Sequence, residues 1–345
     1  MKFPCLPFLI LGLAFFSLAT RAEVINGRSY VALGIWSRAN GLGGYAFNQG
    51  TEWVFTNRTS RLVLSLDSAD ASINNIGVRL SYPLAKGGFI SQLDADKTLR
   101  PLLFPQKVGA RKIMTICLDP GHGGNDTGNQ IGHFFKKNEK TYTLALALEL
   151  QRQLQQAGFN VILTRDKDIY PKLPLPNRPE IANHRGADLF VSLHFNSSPA
   201  EAESVQGPET YCITPVGAAS SNDAQGVGAG RGAYPANRCE DRSLLLAYEV
   251  QRSLVRGLGT VDRSVRRARW EVLRTATMPA ILIEGGYMSH PVEGRRIFDE
   301  GWRKQLAAAV VRGILSYQKL TAPQPVPPRT VAASGAGAPA RKVTR

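Results

Sequence analysis

Cysteine is scarce in this chain, acids are outnumbered by bases, and no apolar run beyond the N-terminal one suggests a membrane span. Cys5, Cys117, Cys212 and Cys239 are its 4 cysteines. The first residues carry Lys2, an apolar run from Phe8 to Phe16 and the small-residue ending Thr20-Arg21-Ala22. This is the pattern of a secretory signal over residues 1–22, cut before Glu23, and its apolar core is too short for a permanent spanning helix. No cysteine stands at the expected cleavage point, which argues against a lipoprotein anchor. Three cysteines then remain in an oxidising compartment, and an odd number leaves at least one unpaired. Cys117 sits in a strand-like run and is expected to pack as a small apolar residue. Cys212 and Cys239 could bridge the loop between them. None is read as a nucleophile, because a thiolate wants a histidine base and the histidines here are better placed for other work.

The 42 lysines and arginines against 27 acids give a formal charge of +15, and loss of Lys2 and Arg21 with the signal leaves +13. Such charge attracts polyanions, either nucleic acid or an anionic cell envelope. Export argues against nucleic acid, and the positive residues are scattered. Arg263, Arg266, Arg267 and Arg269 form the one dense cluster, read as a solvated edge rather than a wall-contacting patch.

Residues 23–107 read as a small β-rich domain. The segment Arg61 to Asp67 alternates apolar with polar, the period of a half-buried strand. Asn74-Asn75 and Lys86-Gly87-Gly88 have hairpin-turn composition, and one short helix is expected near Trp36. Through Asn26-Gly27-Arg28-Ser29-Tyr30-Val31 and Pro83 this region resembles the β-rich stalk domain found at the N-terminus of copper amine oxidases and of some bacterial wall hydrolases.

Residues 112–320 alternate strands with helices. The pattern predicts a helix from Glu139 to Gln156 capped near Gly158, a strand at 161–163, a helix at 177–185, a strand at 188–193 and a helix at 244–258. Strands around Val272 and Ile283 and a last helix from Trp302 to Lys319 follow. The fold class expected is α/β, a mostly parallel sheet with helices on both faces, phosphorylase/hydrolase-like, preceded by the small β-rich domain. Pro215 to Ser243 reads as a mobile Gly-, Ala- and Ser-rich loop near the site or sheet edge. Residues 321–345 read as a disordered basic Pro- and Ala-rich tail, suited to a loose tether on an anionic surface.

Three buried-type strands end in a functional side chain. Ile113 to Leu118 runs into Asp119-Pro120-Gly121-His122-Gly123-Gly124, Leu189 to Leu193 ends in His194, and Ala280 to Ile283 ends in Glu284-Gly285-Gly286. Open α/β folds build their sites at such strand ends. With Glu139 at the head of a helix, these residues supply two imidazoles, a carboxylate ligand and a spare carboxylate, the inventory of a catalytic zinc site. Two neutral imidazoles and one carboxylate leave the ion about one positive charge, enough to bring a water's pKa from 15.7 to about 7. Glu284 is placed to carry the proton that a leaving amine needs. The spacings are not those of a local metal motif, so these residues meet only if the sheet brings their strands together. Singly, His122 could cap a turn, Glu139 could be a helix N-terminal acid, and His194 could be a satisfied core histidine.

Leu118 to Gly124 with Asp126 and Gly128, Glu139-Lys140, Thr164-Arg165-Asp166, Arg178 with Ala182-Asn183, Ser192 to Asn196, Val272-Leu273-Arg274 with Met278-Pro279-Ala280, and Glu284-Gly285-Gly286 resemble the zinc-dependent N-acetylmuramoyl-L-alanine amidases of the type 3 amidase family. The order and spacing agree over 112–318. The resemblance implies one zinc ion held by His122, Glu139 and His194, Glu284 as general acid and base, and peptidoglycan as substrate, with roles in wall remodelling, cell separation or autolysis. Asn196, Arg178, Tyr211 and Asn237 are candidates for the substrate cleft. His290 stands where the family has asparagine and is read as a neutral replacement. His133 and His184 are read as surface or structural.

In some relatives an inserted helix puts a glutamate on the zinc until a partner removes it. Here Pro215 to Ser243 lacks a long helical pattern, with acids only at Asp223, Glu240 and Asp241, which argues against that route. An activator protein is still retained as a candidate partner. A monomer, secreted or periplasmic, without a transmembrane segment or nucleic-acid partner, is the expectation. The alternatives are a non-catalytic peptidoglycan-binding protein and a zinc peptidase acting within the stem peptide.

Overall fold

The computed structural model describes residues 22–107, 112–132, 137–221 and 232–322. The signal segment through residue 21, His133, the middle of the Pro215 to Ser243 loop and the tail from residue 323 lie outside the described residues.

A hairpin opens the chain, β1 (Ala22–Ile25) and β2 (Arg28–Ala32), followed by helix α1 (Leu33–Ala39), which buries Leu33 and Trp36. An antiparallel meander follows: β3 (Gly43–Phe47), β4 (Glu52–Thr56), β5 (Arg61–Ser65), β6 (Asp70–Ile73) and β7 (Ile76–Arg79). The alternation read in β5 buries Leu62 and Leu64. Asn74 and Asn75, at φ 50° and 64°, make the left-handed pair that a type I′ hairpin turn requires. β8 (Phe89–Ser91) then pairs with β2, giving a small three-stranded sheet. A helical run leads out through α2 (Gln92–Asp94), a π-helical turn at Ala95–Leu99 and α3 (Arg100–Leu103).

The rest alternates as expected: β9 (Thr115–Pro120), the short pair β10 (Gln130–Ile131) and β11 (Lys137–Asn138), α4 (Glu139–Gln156), β12 (Asn160–Leu163), α5 (Asn177–His184), β13 (Leu189–Asn196) and β14 (Glu209–Cys212). Then come α6 (Glu240–Leu258), β15 (Val265–Arg267), α7 (Glu271–Arg274), β16 (Ala280–Tyr287), α8 (Pro291–Phe298) and α9 (Glu300–Thr321). Helix α6 starts four residues before the expected Leu244, at Glu240 and Asp241, acids that favour a helix N-terminus. Val272 lies in the short helix α7 rather than a strand; it and Leu273 bury themselves as one apolar turn, which periodicity over four residues cannot tell from a strand.

One sheet of 11 strands carries the architecture, in the order β12-β9-β13-β16-β14-β15-β7-β6-β5-β4-β3. From β12 to β15 the pairings are parallel except that of β16 with β14, so β14 and β15 run against the other four strands. The meander joins through the parallel pair Val265 and Val78. Helix α6 braces that seam: Tyr248 Oη donates to the Ile73 carbonyl at 2.8 Å, and Arg256 donates to the Asn74 carbonyl at 2.9 Å. α4, α6 and α9 cover one face with a core that continues beneath the meander, and α5 and α7 cover the other around Phe190, Tyr211 and Leu282. Among the described residues no helix is long and apolar enough to cross a membrane.

Cys117, Cys212 and Cys239 are all buried free thiols, so the bridge between Cys212 and Cys239 is not formed. Cys212 lies in the core under α6, with its thiol toward the Arg266 carbonyl, whereas Cys239 is directed at the Thr277 carbonyl. Burial raises the Cys117 thiol to about 12 and the Cys212 thiol to about 11, which suits apolar packing and not nucleophilic attack.

Candidate metal centre

His122, Glu139 and His194 converge at the C-terminal ends of β9 and β13 and the first turn of α4. One ligand atom from each lies within 4.8 Å of the others. Nε2 of His122 is 3.0 Å from Oε2 of Glu139, and Nδ1 of His194 is 3.0 Å from its Oε1. The rings meet edge to face with centroids 4.8 Å apart.

The turn after β9 is shaped to allow this. His122 has φ 62°, left-handed for a non-glycine residue, so its imidazole leaves the strand line and turns toward Glu139. Buried arginines clamp the backbone on either side. Arg178 pairs with Asp119 at 2.8 Å and donates to the Pro120 and His122 carbonyls at 2.9 and 2.7 Å. Arg165 donates to the Pro120 and Gly121 carbonyls at 3.0 and 2.8 Å. Two glycines are needed for room: a Cβ at Gly121 would stand 2.3 Å from the His194 ring, and one at Gly128 would stand 2.6 Å from Glu139 Oε2.

A second layer fixes the donors. Nδ1 of His122 is 3.0 Å from Oδ1 of Asp126, which orients the ring so that Nε2 faces the centre. The Asn129 backbone and side-chain amides donate to Glu139 Oε2 at 2.9 and 3.0 Å, and the Phe195 amide donates to Oε1 at 3.0 Å. Burial alone would lower the His122 ring's pKa, but the Glu139 and Asp126 carboxylates outweigh it and raise it. Burial alone would raise Glu139, yet the two imidazoles hold it well below the usual carboxylate range.

Glu284 pairs in register with His194 across β13 and β16, and with Glu209 across β16 and β14, so the three side chains share one sheet face. Its Oε2 is buried and has no hydrogen-bond partner among the described residues. Burial, with the charges of Glu139 and Glu209, pushes its carboxyl well above the ordinary value. Glu209 is itself buried. It accepts from Tyr287 Oη at 2.7 Å and Asn196 Nδ2 at 2.9 Å, and its Oε2 is 2.9 Å from Arg266 Nε.

The donor set suits a zinc ion: two imidazoles and one carboxylate, their partners fixed, beside a buried carboxylate oxygen with nothing to bond. Sequence reading reached all three donors and Glu284. It missed Asn129 and Glu209, although an acid opening the buried strand Glu209–Cys212 was a usable signal.

Other candidates fall elsewhere. Arg178 is 1% exposed and holds the His122 turn from inside instead of lining a cleft. Asn237 is committed to the Tyr234 amide, the Thr214 carbonyl and Glu240. Tyr211 is buried against Trp270, and Asn196 donates to Glu209. His290 caps α8, its Nδ1 accepting from the Val292 and Glu293 amides. His184 is exposed on α5. Glu240 and Asp241 meet Lys97 and not the centre, while Asp223 lies outside the described residues. The arginine cluster is not a solvated edge: Arg267, on the interior strand β15, and Arg269, which donates to the Pro215 and Ala218 carbonyls, are each 4% exposed, and Arg266 pairs with Glu209.

The N-acetylmuramoyl-L-alanine amidase family model matches residues 116–316. The amidase AmiC of Neisseria meningitidis is 31% identical over 226 residues, covering 59% of this chain and 52% of that protein, so this chain spans about half its length. AmiA of Escherichia coli K12 is 30% identical over 236 residues, covering 61% of this chain and 78% of that protein. The crystal structure of an N-acetylmuramoyl-L-alanine amidase from Clostridium difficile 630 superposes with a TM-score of 0.50 at 33% identity, covering 61% of this chain and 98% of that one. With more than half of its length matched by the family model, and its three donors gathered within that span, the chain belongs to the N-acetylmuramoyl-L-alanine amidase family.

Proposed function

We propose that this chain is a zinc-dependent amidase that hydrolyses the bond between the lactyl group of N-acetylmuramic acid and the L-alanine of the peptidoglycan stem. The observation that carries this reading is the convergence of His122, Glu139 and His194 beside the unpartnered Oε2 of Glu284, inside the region matched by the family. His122, Glu139 and His194 would hold the ion, which supplies Lewis acidity when bound, polarising a carbonyl and acidifying a water. Asp126 keeps the His122 proton on Nδ1 and leaves Nε2 free to ligate. Glu284 accepts the proton of the attacking water at Oε2 and returns it to the alanine nitrogen, which must leave as an amine. Its desolvated surroundings raise its hold on a proton, as that return step requires. Residues 112–320 form the catalytic unit in this reading, residues 23–107 an N-terminal β module, and the protein works outside the cytoplasm on the wall.

Digestion of purified peptidoglycan, with fragments read by mass, tests the proposal. Intact stem peptides with an L-alanine amino end, lost with chelator and regained with zinc, are expected. Shortened or divided stems would mean a peptidase, and wall binding without release would mean a binding module. His194→Ala is expected to lose bound zinc in a metal assay, and full metal content in that variant would overturn its ligand role.

A further inference from the structure

A cavity of about 450 Å³ lies at the seam where the meander meets the mostly parallel half of the sheet. Arg79, Arg266, Arg267, Ser81, Ser220 and Ser221 are its polar lining residues, and among the described residues no acid lines it. β15 and β7 run parallel with Val265 opposite Val78, so Arg266 and Arg79, one residue further along each strand, stand side by side on one face. That is the face of Glu284 and Glu209: Tyr211, two residues from Glu209, pairs with Arg266, and Arg266 Nε reaches Glu209 Oε2 at 2.9 Å. Arg79 uses one nitrogen on Asp70, at 2.7 Å, and its other guanidinium nitrogens have no partner among the described residues. Ser81 borders the cavity, with its Oγ buried and without a partner among the described residues.

The geometry points to a carboxylate-binding subsite at this seam: we propose that Arg79 and Arg266 receive a carboxylate of the peptide whose amide is cut at Glu284. Three strand spacings separate β16 from β7, which with the step of two residues along β14 is about 15 Å. An extended peptide covers that in about five residues at 3.3 Å each. Each guanidinium spends one nitrogen on an acid, Arg79 on Asp70 and Arg266 on Glu209, and a planar guanidinium pair with nitrogens beyond those is the usual recognition chemistry for a carboxylate. The inference rests on the amidase reading for its peptide, and it gives the N-terminal β module a direct share in substrate recognition.

The test is equilibrium binding, by calorimetry, of a five-residue peptide with an L-alanine amino end and a terminal carboxylate, and of its carboxamide form, to the full chain without metal. Arg79→Ala is expected to weaken the acidic peptide about tenfold, Arg79→Lys to restore part of that, and the carboxamide to bind all three proteins alike. With wall substrate, Arg79→Ala is expected to raise KM more than it lowers kcat. Equal binding of the acidic peptide to native chain and Arg79→Ala, or equal loss with the carboxamide, overturns the subsite. If peptidoglycan is not cleaved while Arg79-dependent peptide binding persists, the amidase reading fails and the subsite stands.

Discussion

From β3 to β7 no charged side chain is buried, whereas β9, α4 and β14 in the other half of the same sheet bury Asp119, Glu139 and Glu209, with Arg165 and Arg178 behind them. The meander is held by apolar side chains such as Leu62, Leu64, Ile73 and Val78. The parallel half gives up part of that stabilisation, since buried charge is costly unless fully paired. Charge is concentrated where chain ends of parallel strands converge, and the carboxylates of Asp119, Glu139 and Glu209 are each met by an opposite charge or several donors. Glu284 is the exception among these four carboxylates, and its unmet oxygen marks where chemistry is expected.

Breaking the exception should have the largest effect. Glu284→Gln is expected to retain bound zinc and lose about 10²- to 10⁴-fold in turnover, measured as stem-peptide release alongside metal content; a wild-type rate would remove Glu284 from the reaction. Arg178→Ala leaves Asp119 buried without its ion pair and should destabilise by about 3–5 kcal/mol in urea unfolding. A loss under 1 kcal/mol would mean that the His122 turn does not depend on it. On the meander side, Leu62→Ala should cost about 2–5 kcal/mol through cavity formation without changing metal content.

The smallest effect concerns the thiols. Folding raises Cys117 to about 12 and Cys212 to about 11, from 9.0 when unperturbed. A raised value in the folded state means that the contribution to stability is whole below pH 9 and is lost as pH climbs through 11 and 12. Unfolding curves at pH 8 and pH 9.5 should therefore differ by about 1–2 kcal/mol, and a Cys117→Ala, Cys212→Ala double variant should narrow the gap. Rapid reaction of native protein with a thiol reagent would contradict the burial behind this.

Much of the site was legible because each donor ends a run with its own local signal. His122 and His194 follow buried-type strands, Glu139 opens a helix found at the residues its pattern predicts, and Glu284 precedes two glycines. What escaped depends on register between distant segments. Nothing local to Arg178 says that it will reach back to Asp119, and nothing in Arg263 to Arg269 says that β15 lies inside the sheet, where the cluster becomes structural. Glu209 became significant only when β14 was laid antiparallel to β16, which sets it opposite Glu284. The hairpin at Asn74-Asn75 was readable from two residues, but the junction of Val78 with Val265 was not, since that single pair joins segments far apart in the chain.

The left-handed backbone at His122 has a consequence for the order of events. A side chain in that conformation costs about 1–3 kcal/mol, and here the cost is met by arginine hydrogen bonds that form as the chain folds. The imidazole is therefore aimed before any ion arrives, and capture requires little rearrangement of the loop. Selectivity would then come from rigidity: an ion that needs longer bonds or more ligands would have to move a turn that the interior of the protein holds still.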